Sequence, residues 1–149
     1  MKSNATRLSW GEYALQLAKT ASLRSEDPYH KVGACAIGHN NMVVGLGYNG
    51  VPSSFEVDEK FWKDRDARRR YMIHAETNCL SLFKRGEAKA IATTLLPCSY
   101  CATAIVAYEI QYVIYGEEYP RDDGAKNIFE YYKITLIHIP SKQTHGNID

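Results

Sequence analysis

Two short motifs in the sequence carry side chains that bind metals. The first is His74, followed two residues later by Glu76, and the second is Pro97, Cys98 and then Cys101. One imidazole and two thiolates suit zinc, and three protein ligands leave the fourth tetrahedral position open for water. The carboxylate is too close to the imidazole in sequence to share the ion comfortably, but it is near enough to take a proton from a bound water. We therefore predict a catalytic zinc site with three ligands and one proton carrier.

The chemistry that suits this set is hydrolysis of an exocyclic amine. A zinc ion lowers the pKa of its water to about 7, so that the water can attack the carbon bearing the amine. Glu76 would deliver the proton to the ring nitrogen and then help to protonate the departing ammonia. The pattern H-x-E followed later by P-C-x-x-C, which His74, Glu76, Cys98 and Cys101 match, is typical of the zinc deaminases that act on nucleobases.

Two other interpretations of the cysteine pair remain open at this point. A structural zinc site needs four protein ligands, and Cys79 or Cys35 would have to supply the fourth. A redox pair also uses Cys-x-x-Cys spacing. Neither explains a glutamate two residues after His74 or a proline directly before Cys98.

Length and composition indicate one globular domain over residues 1–149, with a polar tail at 141–149. The chain has 149 residues, of which 45% are hydrophobic and 23% are charged, as in ordinary globular proteins. The net charge of +1 argues against a nucleic-acid partner, which usually requires a basic surface. No apolar run resembles a signal peptide or a membrane span, so we expect a cytoplasmic protein without a membrane partner.

The order of predicted elements favours an α/β protein. A capping box, Ser9 to Glu12, begins the first helix, and two strands at 32–37 and 42–48 form a hairpin. Helices and parallel strands then alternate, which predicts a three-layer α/β/α sandwich with a five-stranded mixed sheet. The later elements are predicted at 74–85 (helix), 90–96 (strand), 100–108 (helix), 112–115 (strand), 124–132 (helix) and 135–139 (strand). Apolar spacing places Trp10, Tyr13, Cys79, Leu82, Phe83 and Tyr132 among the inward-facing helix positions.

Two segments outside the metal motifs could contact a ligand. Asn49 precedes Gly50 at the end of the hairpin, where it either serves a turn or presents its amide to a ligand. The long connection at 51–70 has room for a short helix and ends in an arginine-rich run. That run is either a solvated face or a site that grips phosphate, because arginine makes forked bonds to oxyanions.

From Trp10 to Ile139 the sequence resembles the deoxycytidylate (dCMP) deaminases of the cytidine deaminase superfamily. The zinc motif is common to the superfamily, whereas the Gly-Tyr-Asn-Gly segment at 47–50 points towards the dCMP enzymes. The matching segments are 31–34 (KVGA), 47–50 (GYNG), 74–78 (HAETN), 96–102 (LPCSYCA) and the strand at 113–115 that leads to Tyr119.

The resemblance implies hydrolysis of dCMP to dUMP and ammonia, which feeds thymidylate synthesis. It implies that His74, Cys98 and Cys101 are the zinc ligands and that Glu76 is the proton shuttle. It further suggests Asn49 as a contact to the deoxyribose, with Tyr119 and Arg85 near the phosphate or a subunit interface. Family members are often homohexamers activated by dCTP and inhibited by dTTP. The segment 51–70 contains no Cys or His, so we expect one zinc ion per chain.

Three alternatives to a dCMP deaminase are kept. In the first alternative, the pocket accepts dCTP instead of dCMP or alongside it, because the sequence does not determine how many phosphates the pocket holds. A deaminase of the transfer-RNA adenosine type is disfavoured by the near-neutral charge. A zinc-stabilised module without activity leaves Glu76 unexplained.

Overall fold

The structure is a computed structural model that describes residues 6–120 and 124–141, so most of the predicted tail, from residue 142 onward, lies outside the described residues. No helix in these ranges is long and apolar enough to cross a membrane. The elements are α1 (Trp10–Ser22), β1 (Gly33–Gly38), β2 (Val43–Tyr48), α2 (Glu59–Lys63), α3 (Arg65–Tyr71), α4 (Ala75–Leu80), β3 (Ala88–Leu95), α5 (Ser99–Ala107), β4 (Tyr112–Glu117), α6 (Ala125–Tyr131) and β5 (Thr135–His138).

The five strands form one mixed sheet in the order β2-β1-β3-β4-β5. β1 runs antiparallel to both of its neighbours, whereas β3, β4 and β5 are mutually parallel and are connected through α5 and α6. All six residues of β1 are buried, as expected for a central strand covered on both faces. The predicted three-layer α/β/α sandwich with a five-stranded mixed sheet is confirmed.

One face of the sheet is covered by α1. Its capping box forms as predicted: the Ser9 hydroxyl accepts from the Glu12 N–H at 3.1 Å, and the Glu12 carboxylate accepts from the Ser9 N–H at 2.8 Å. The small residues of α1 let the helix lie close to the strands. The core on this side consists of Ala14, Leu15, Ala18, Cys35, Ile37, Ala90, Ala92 and Ile114.

The opposite face is covered by α4, α5 and α6, and α4 lies unusually close to β2. A Cβ atom at Gly45 would lie 2.7 Å from the Cys79 carbonyl oxygen, and one at Gly47 would lie 2.9 Å from the Ala75 carbonyl oxygen. Only glycine permits such an approach, so these two positions determine where α4 begins. The start of α4 in turn determines where His74 lies.

Five details of the sequence prediction are wrong. The helix predicted at 74–85 is shorter, because the chain leaves α4 after Leu80 through turns that end at Gly86, whose φ is 87°. Leu82 therefore points outward and is 61% exposed, while Phe83 stays buried. Trp10 and Tyr132 are each 54% exposed and Tyr13 is 38% exposed, because helical periodicity alone does not say how wide a stripe the sheet covers.

Residues 51–70 contain two short helices, where the sequence suggested room for one. The Asp58 and Asp64 carboxylates cap α2 and α3 by accepting backbone N–H groups of their first turns. Neither helix contains a buried residue. This segment therefore lies over the sheet end without contributing to the core.

Candidate active site

The two predicted metal motifs meet at the carboxyl end of β3. His74 precedes α4 and Cys98 precedes α5, and both have extended backbone conformations with no side-chain capping bond. Their side chains are therefore available to point at a common centre instead of closing their own helices. Cys101, one turn into α5, is buried and completes the group.

The three donor atoms are spaced as a tetrahedral metal requires. The His74 Nδ1 atom lies 3.6 Å from the Cys98 Sγ atom and 3.3 Å from the Cys101 Sγ atom. All three donors lie within 4.8 Å of one another. Zn–S and Zn–N bonds of about 2.3 and 2.0 Å at tetrahedral angles would separate sulfur from nitrogen by roughly 3.5 Å. The residues present therefore fit a zinc ion.

The two thiols have strongly different acidities because they share a hydrogen bond. The bond that Cys101 donates lowers the pKa of the Cys98 thiol to about 4, against the opposing effect of burial. The same bond, together with burial, raises the pKa of Cys101. Hydrogen bonding to Cys98 also raises the pKa of His74. A divalent cation bound between these donors would favour the thiolate form of both cysteines.

Glu76 lies beside this group in the first turn of α4 and is only 4% exposed. Burial is the main cause that raises the pKa of its carboxyl group, while a backbone hydrogen bond and the nearby His74 oppose the shift. Glu76, His74 and Cys98 all line one cavity of about 130 Å³. A buried carboxyl group with a raised pKa can both accept and return a proton.

The other two cysteines belong to the core. Burial raises the pKa of Cys35 to about 11, and it likewise raises the pKa of Cys79. Within residues 6–120 and 124–141, the metal-binding group contains His74, Cys98 and Cys101, and neither buried cysteine joins them. A four-ligand structural zinc site that uses Cys35 or Cys79 therefore finds no support in the arrangement.

A larger cavity of about 720 Å³ adjoins the small one. The two cavities share Asn49, His74, Leu95 and Tyr119 along their boundary. The larger cavity is polar on its outer side, where three arginines of the α3 segment contribute. Its lining there includes Arg65, Arg68, Arg69, Tyr29, His30 and Asp27.

Asn49 lies at the boundary between the two cavities, and its amide is partly occupied by the protein itself. Its Oδ1 atom accepts from the Val32 N–H at 2.9 Å, and its Nδ2 atom donates to the His30 carbonyl oxygen at 2.9 Å. An amide can accept a second bond and donate a second proton, so Asn49 retains capacity for a ligand. Both sequence interpretations, turn and ligand contact, are compatible with this geometry.

The structure separates the two weaker candidates. Tyr119 is partly buried and lines both cavities. Arg85 lies on an exposed turn just before the amino end of β3, whereas the metal motifs lie at the carboxyl end, and it does not line either of these cavities. The structure therefore does not bring Arg85 to the site within this chain.

Sequence reasoning missed the turn at 27–30, which supplies Asp27, Tyr29 and His30 to the larger cavity. The signal that was available is the density of polar residues directly before a buried strand, a place where loops often bind ligands. Sequence reasoning also missed Glu117, the last residue of β4, and Glu118 directly after it; both line the larger cavity.

A buried carboxylate beside one imidazole and two thiols, at the end of the central strand of this sandwich, is the arrangement of cytidine deaminase-like enzymes. A family model described as the cytidine and deoxycytidylate deaminase zinc-binding region matches residues 8–117. The chain therefore belongs to the cytidine and deoxycytidylate deaminase family. The sequence predictions of a deaminase enzyme and of a zinc-binding domain are confirmed.

Individual relatives agree with this assignment. A deoxycytidylate deaminase of Homo sapiens is 33% identical over 126 residues, covering 79% of this chain and 71% of the relative. A deoxycytidylate deaminase of Mycobacterium phage D29 is 32% identical over 127 residues, covering 76% of this chain and 98% of the relative. The crystal structure of a dCMP deaminase from cyanophage S-TIM5, in complex with dCMP and dUMP, shares the fold with a TM-score of 0.72 at 23% identity, covering 86% of this chain and 95% of that one.

Proposed function

We propose that this chain converts dCMP and water to dUMP and ammonia. The observation that carries the proposal is the convergence of His74, Cys98 and Cys101 beside buried Glu76, in a small cavity that adjoins an arginine-lined one. Relatives named deoxycytidylate deaminases support the choice of nucleotide.

Each residue of the proposed site has a distinct task. His74, Cys98 and Cys101 would hold zinc, which when bound supplies the Lewis acidity that makes water nucleophilic near neutral pH. Glu76 accepts the proton that water loses and passes it to the ring nitrogen N3 of cytosine. The oxygen of the water bonds to C4. Glu76 then takes the remaining proton of this new hydroxyl group and delivers it to the exocyclic nitrogen, so that the C4 carbonyl forms as the C4–N bond breaks and ammonia leaves.

The small cavity suits a single pyrimidine ring. Its volume is about 130 Å³. An engineered cavity of about 150 Å³ is known to hold benzene, a ring of similar size. Asn49 at its boundary would contact the deoxyribose through the remaining capacity of its amide, and Tyr119 would close the opposite side.

The larger cavity would receive the phosphate. Arg65 and Arg69 are exposed cations that line it, and guanidinium groups bind phosphate oxygens in a forked geometry. The same lining includes the carboxylates of Asp27, Glu117 and Glu118, so the cavity as a whole has no excess of positive charge. The presence of Arg65, Arg68 and Arg69 in the lining favours the phosphate-contact interpretation of the arginine run over a simple solvated face.

A substrate panel tests the proposal directly. Ammonia release is measured with dCMP, dCTP, deoxycytidine and cytidine as substrates, and we expect the highest kcat/KM with dCMP. A higher value with dCTP would favour the triphosphate alternative, and equal turnover of free nucleosides would refute the phosphate part. Turnover of transfer RNA without turnover of free nucleotides would replace the proposal altogether.

The phosphate site has a matched pair of variants. Arg69 lines the larger cavity, whereas its neighbour Arg70 is equally exposed and does not. We expect Arg69→Gln to raise the KM for dCMP by about 10-fold, since a bond to a charged group contributes roughly 1.5–3 kcal/mol. Arg70→Gln should leave it nearly unchanged. Equal effects of the two variants would show that only the general positive charge matters.

The remaining proposals rest on the family resemblance. We propose one zinc ion per chain, a homohexamer, activation by dCTP and inhibition by dTTP, and a role in supplying dUMP for thymidylate synthesis. Elemental analysis and sedimentation would measure the first two. A rate curve that stays hyperbolic in dCMP, and does not respond to dCTP or dTTP, would remove the regulatory part.

A further inference from the structure

The turn at 27–30 is built around one buried carboxylate. Asp27 is 3% exposed, and its Oδ1 atom accepts from the Tyr29 N–H at 2.7 Å and from the His30 N–H at 3.1 Å. Two bonds from one oxygen to successive N–H groups hold the backbone of this turn in a single conformation. Asp27, Tyr29 and His30 all line the larger cavity.

The turn is fastened to the strand end that carries Asn49. The Ser25 hydroxyl donates to the Asn49 carbonyl oxygen at 2.9 Å and accepts from the Asp27 N–H at 3.2 Å. The Lys31 ammonium group donates to the Ser25 carbonyl oxygen. Asn49 itself donates to the His30 carbonyl oxygen. The position of Asp27 is thus linked to the boundary between the two cavities.

The same turn also reaches the arginine segment. The guanidinium of Arg68 lies over the ring of Tyr29, 4.3 Å from its centroid, and donates to the Trp62 carbonyl oxygen. A cation over an aromatic face is attracted to it. Because α3 contains no buried residue, a contact of this kind has more influence on its position than it would on a helix anchored in the core.

We propose that Asp27 is a positioning residue for the phosphate side of the cavity. Its carboxylate fixes the conformation of the Tyr29–His30 turn, and the turn positions the Tyr29 ring. The ring in turn positions Arg68, which aligns the arginine segment with the nucleotide. Asp27 acts through these groups and not on the reacting atoms. The inference rests on the proposed function, because it assumes a phosphorylated substrate.

The test compares Asp27→Ala with Asp27→Asn, using dCMP and deoxycytidine as substrates. Asparagine keeps an oxygen that accepts both N–H bonds, whereas alanine does not. For Asp27→Ala we expect the KM for dCMP to rise about 10-fold with kcat changed less than about twofold, and kcat/KM for deoxycytidine nearly unchanged. Asp27→Asn should recover most of the affinity for dCMP.

Two further variants keep the test decisive. Asn40→Ala removes an oxygen that holds a turn in a similar way, by accepting from the Met42 N–H at 3.1 Å, but this turn joins β1 to β2 and does not line the cavity, so the variant should not change the KM for dCMP. If Asp27→Ala does not fold, Tyr29→Leu provides the second route. Tyr29 is exposed, and its loss should raise the KM for dCMP while leaving deoxycytidine turnover unchanged.

Several results would overturn the inference. An equal loss for both substrates would assign Asp27 to general folding, and Asp27→Asn behaving like Asp27→Ala would remove the hydrogen-bond argument. An unchanged KM for dCMP in Tyr29→Leu would break the link to Arg68. A wild-type protein that does not turn over dCMP would refute the proposed function and this inference together, whereas active wild type with insensitive variants would refute the inference alone.

Discussion

The two sides of the site are built in different ways. The inner side, formed by the starts of α4 and α5 and the end of β3, combines the buried residues Glu76 and Cys101 with Cys98, which is partly exposed, and His74, which is exposed. The outer side, formed by α2, α3 and the turn at 27–30, includes two helices that contain no buried residue. The chemistry therefore lies at the edge of the core, and the proposed phosphate contacts lie on a covering segment.

This difference follows from what each side has to do. Proton transfer and metal coordination depend strongly on distance, so their groups need the fixed geometry that close packing provides. Binding a charged phosphate tolerates longer and more flexible side chains because Coulomb attraction falls off slowly with distance. Substitutions on the inner side should therefore change the catalytic rate and the stability of the fold, whereas substitutions on the outer side should mainly change the affinity for the substrate.

The largest effect is expected from Glu76→Gln on the inner side. The amide fills the same space but cannot carry protons, so kcat should fall by about 10³-fold, within the range known for general acid–base groups. Elemental analysis should show unchanged zinc, and thermal unfolding should show an unchanged Tm. A rate close to that of the wild type would refute the assigned proton carrier.

Removal of a metal ligand should affect activity and stability together. Cys98→Ala should lose zinc and lower the Tm by roughly 10 °C, as expected if zinc at 1,000 times its Kd contributes about 4 kcal/mol. The control is Cys35→Ala, which removes a buried thiol outside the metal-binding group. It should retain zinc and lose only a small packing contribution. Zinc loss in both variants would revive the four-ligand alternative.

The close contact between α4 and β2 predicts a smaller but definite effect. A Cβ atom at Gly47 would lie 2.7 Å from the Cys79 backbone nitrogen, so Gly47→Ala should cost about 2 kcal/mol and lower zinc affinity by displacing the start of α4. At Gly50 the nearest atom is a flexible Glu26 oxygen at 3.3 Å. Gly50→Ala should therefore lower the free energy of unfolding, measured by chemical denaturation, much less than Gly47→Ala does. Similar losses in the two variants would contradict the packing argument.

The smallest effect is expected on the outer side. Asp64 caps α3 by accepting from the Asp66 and Ala67 N–H groups at 3.0 and 3.2 Å. Asp64→Ala should cost about 1 kcal/mol locally, which would accelerate amide exchange in α3 by roughly fivefold. The Tm should stay within a degree or two, since α3 buries no residue. A large fall in Tm would show that α3 unfolds with the core.

Much of the site could be predicted from residue types and spacing alone. His74, Glu76, Cys98 and Cys101 form two local motifs, and each motif is short enough for sequence to show it directly. The mixed sheet with parallel later strands was accessible for a similar reason, because alternating helices and strands leave few ways to cover a parallel sheet. The capping box at Ser9 and Glu12 depends on neighbours three residues apart, so it too was visible.

Only the tertiary structure determined which residues that are distant in sequence lie close together. No sequence rule shows that Asp27 and Arg69 line the same cavity, or that Arg85 and the metal motifs lie near opposite ends of β3. Likewise, Leu82 follows a helical apolar pattern but points outward, because α4 ends early. Local spacing in the sequence specifies which groups react. The folded sheet and its loops determine which other side chains reach the substrate, because those contacts depend on packing between segments far apart in sequence.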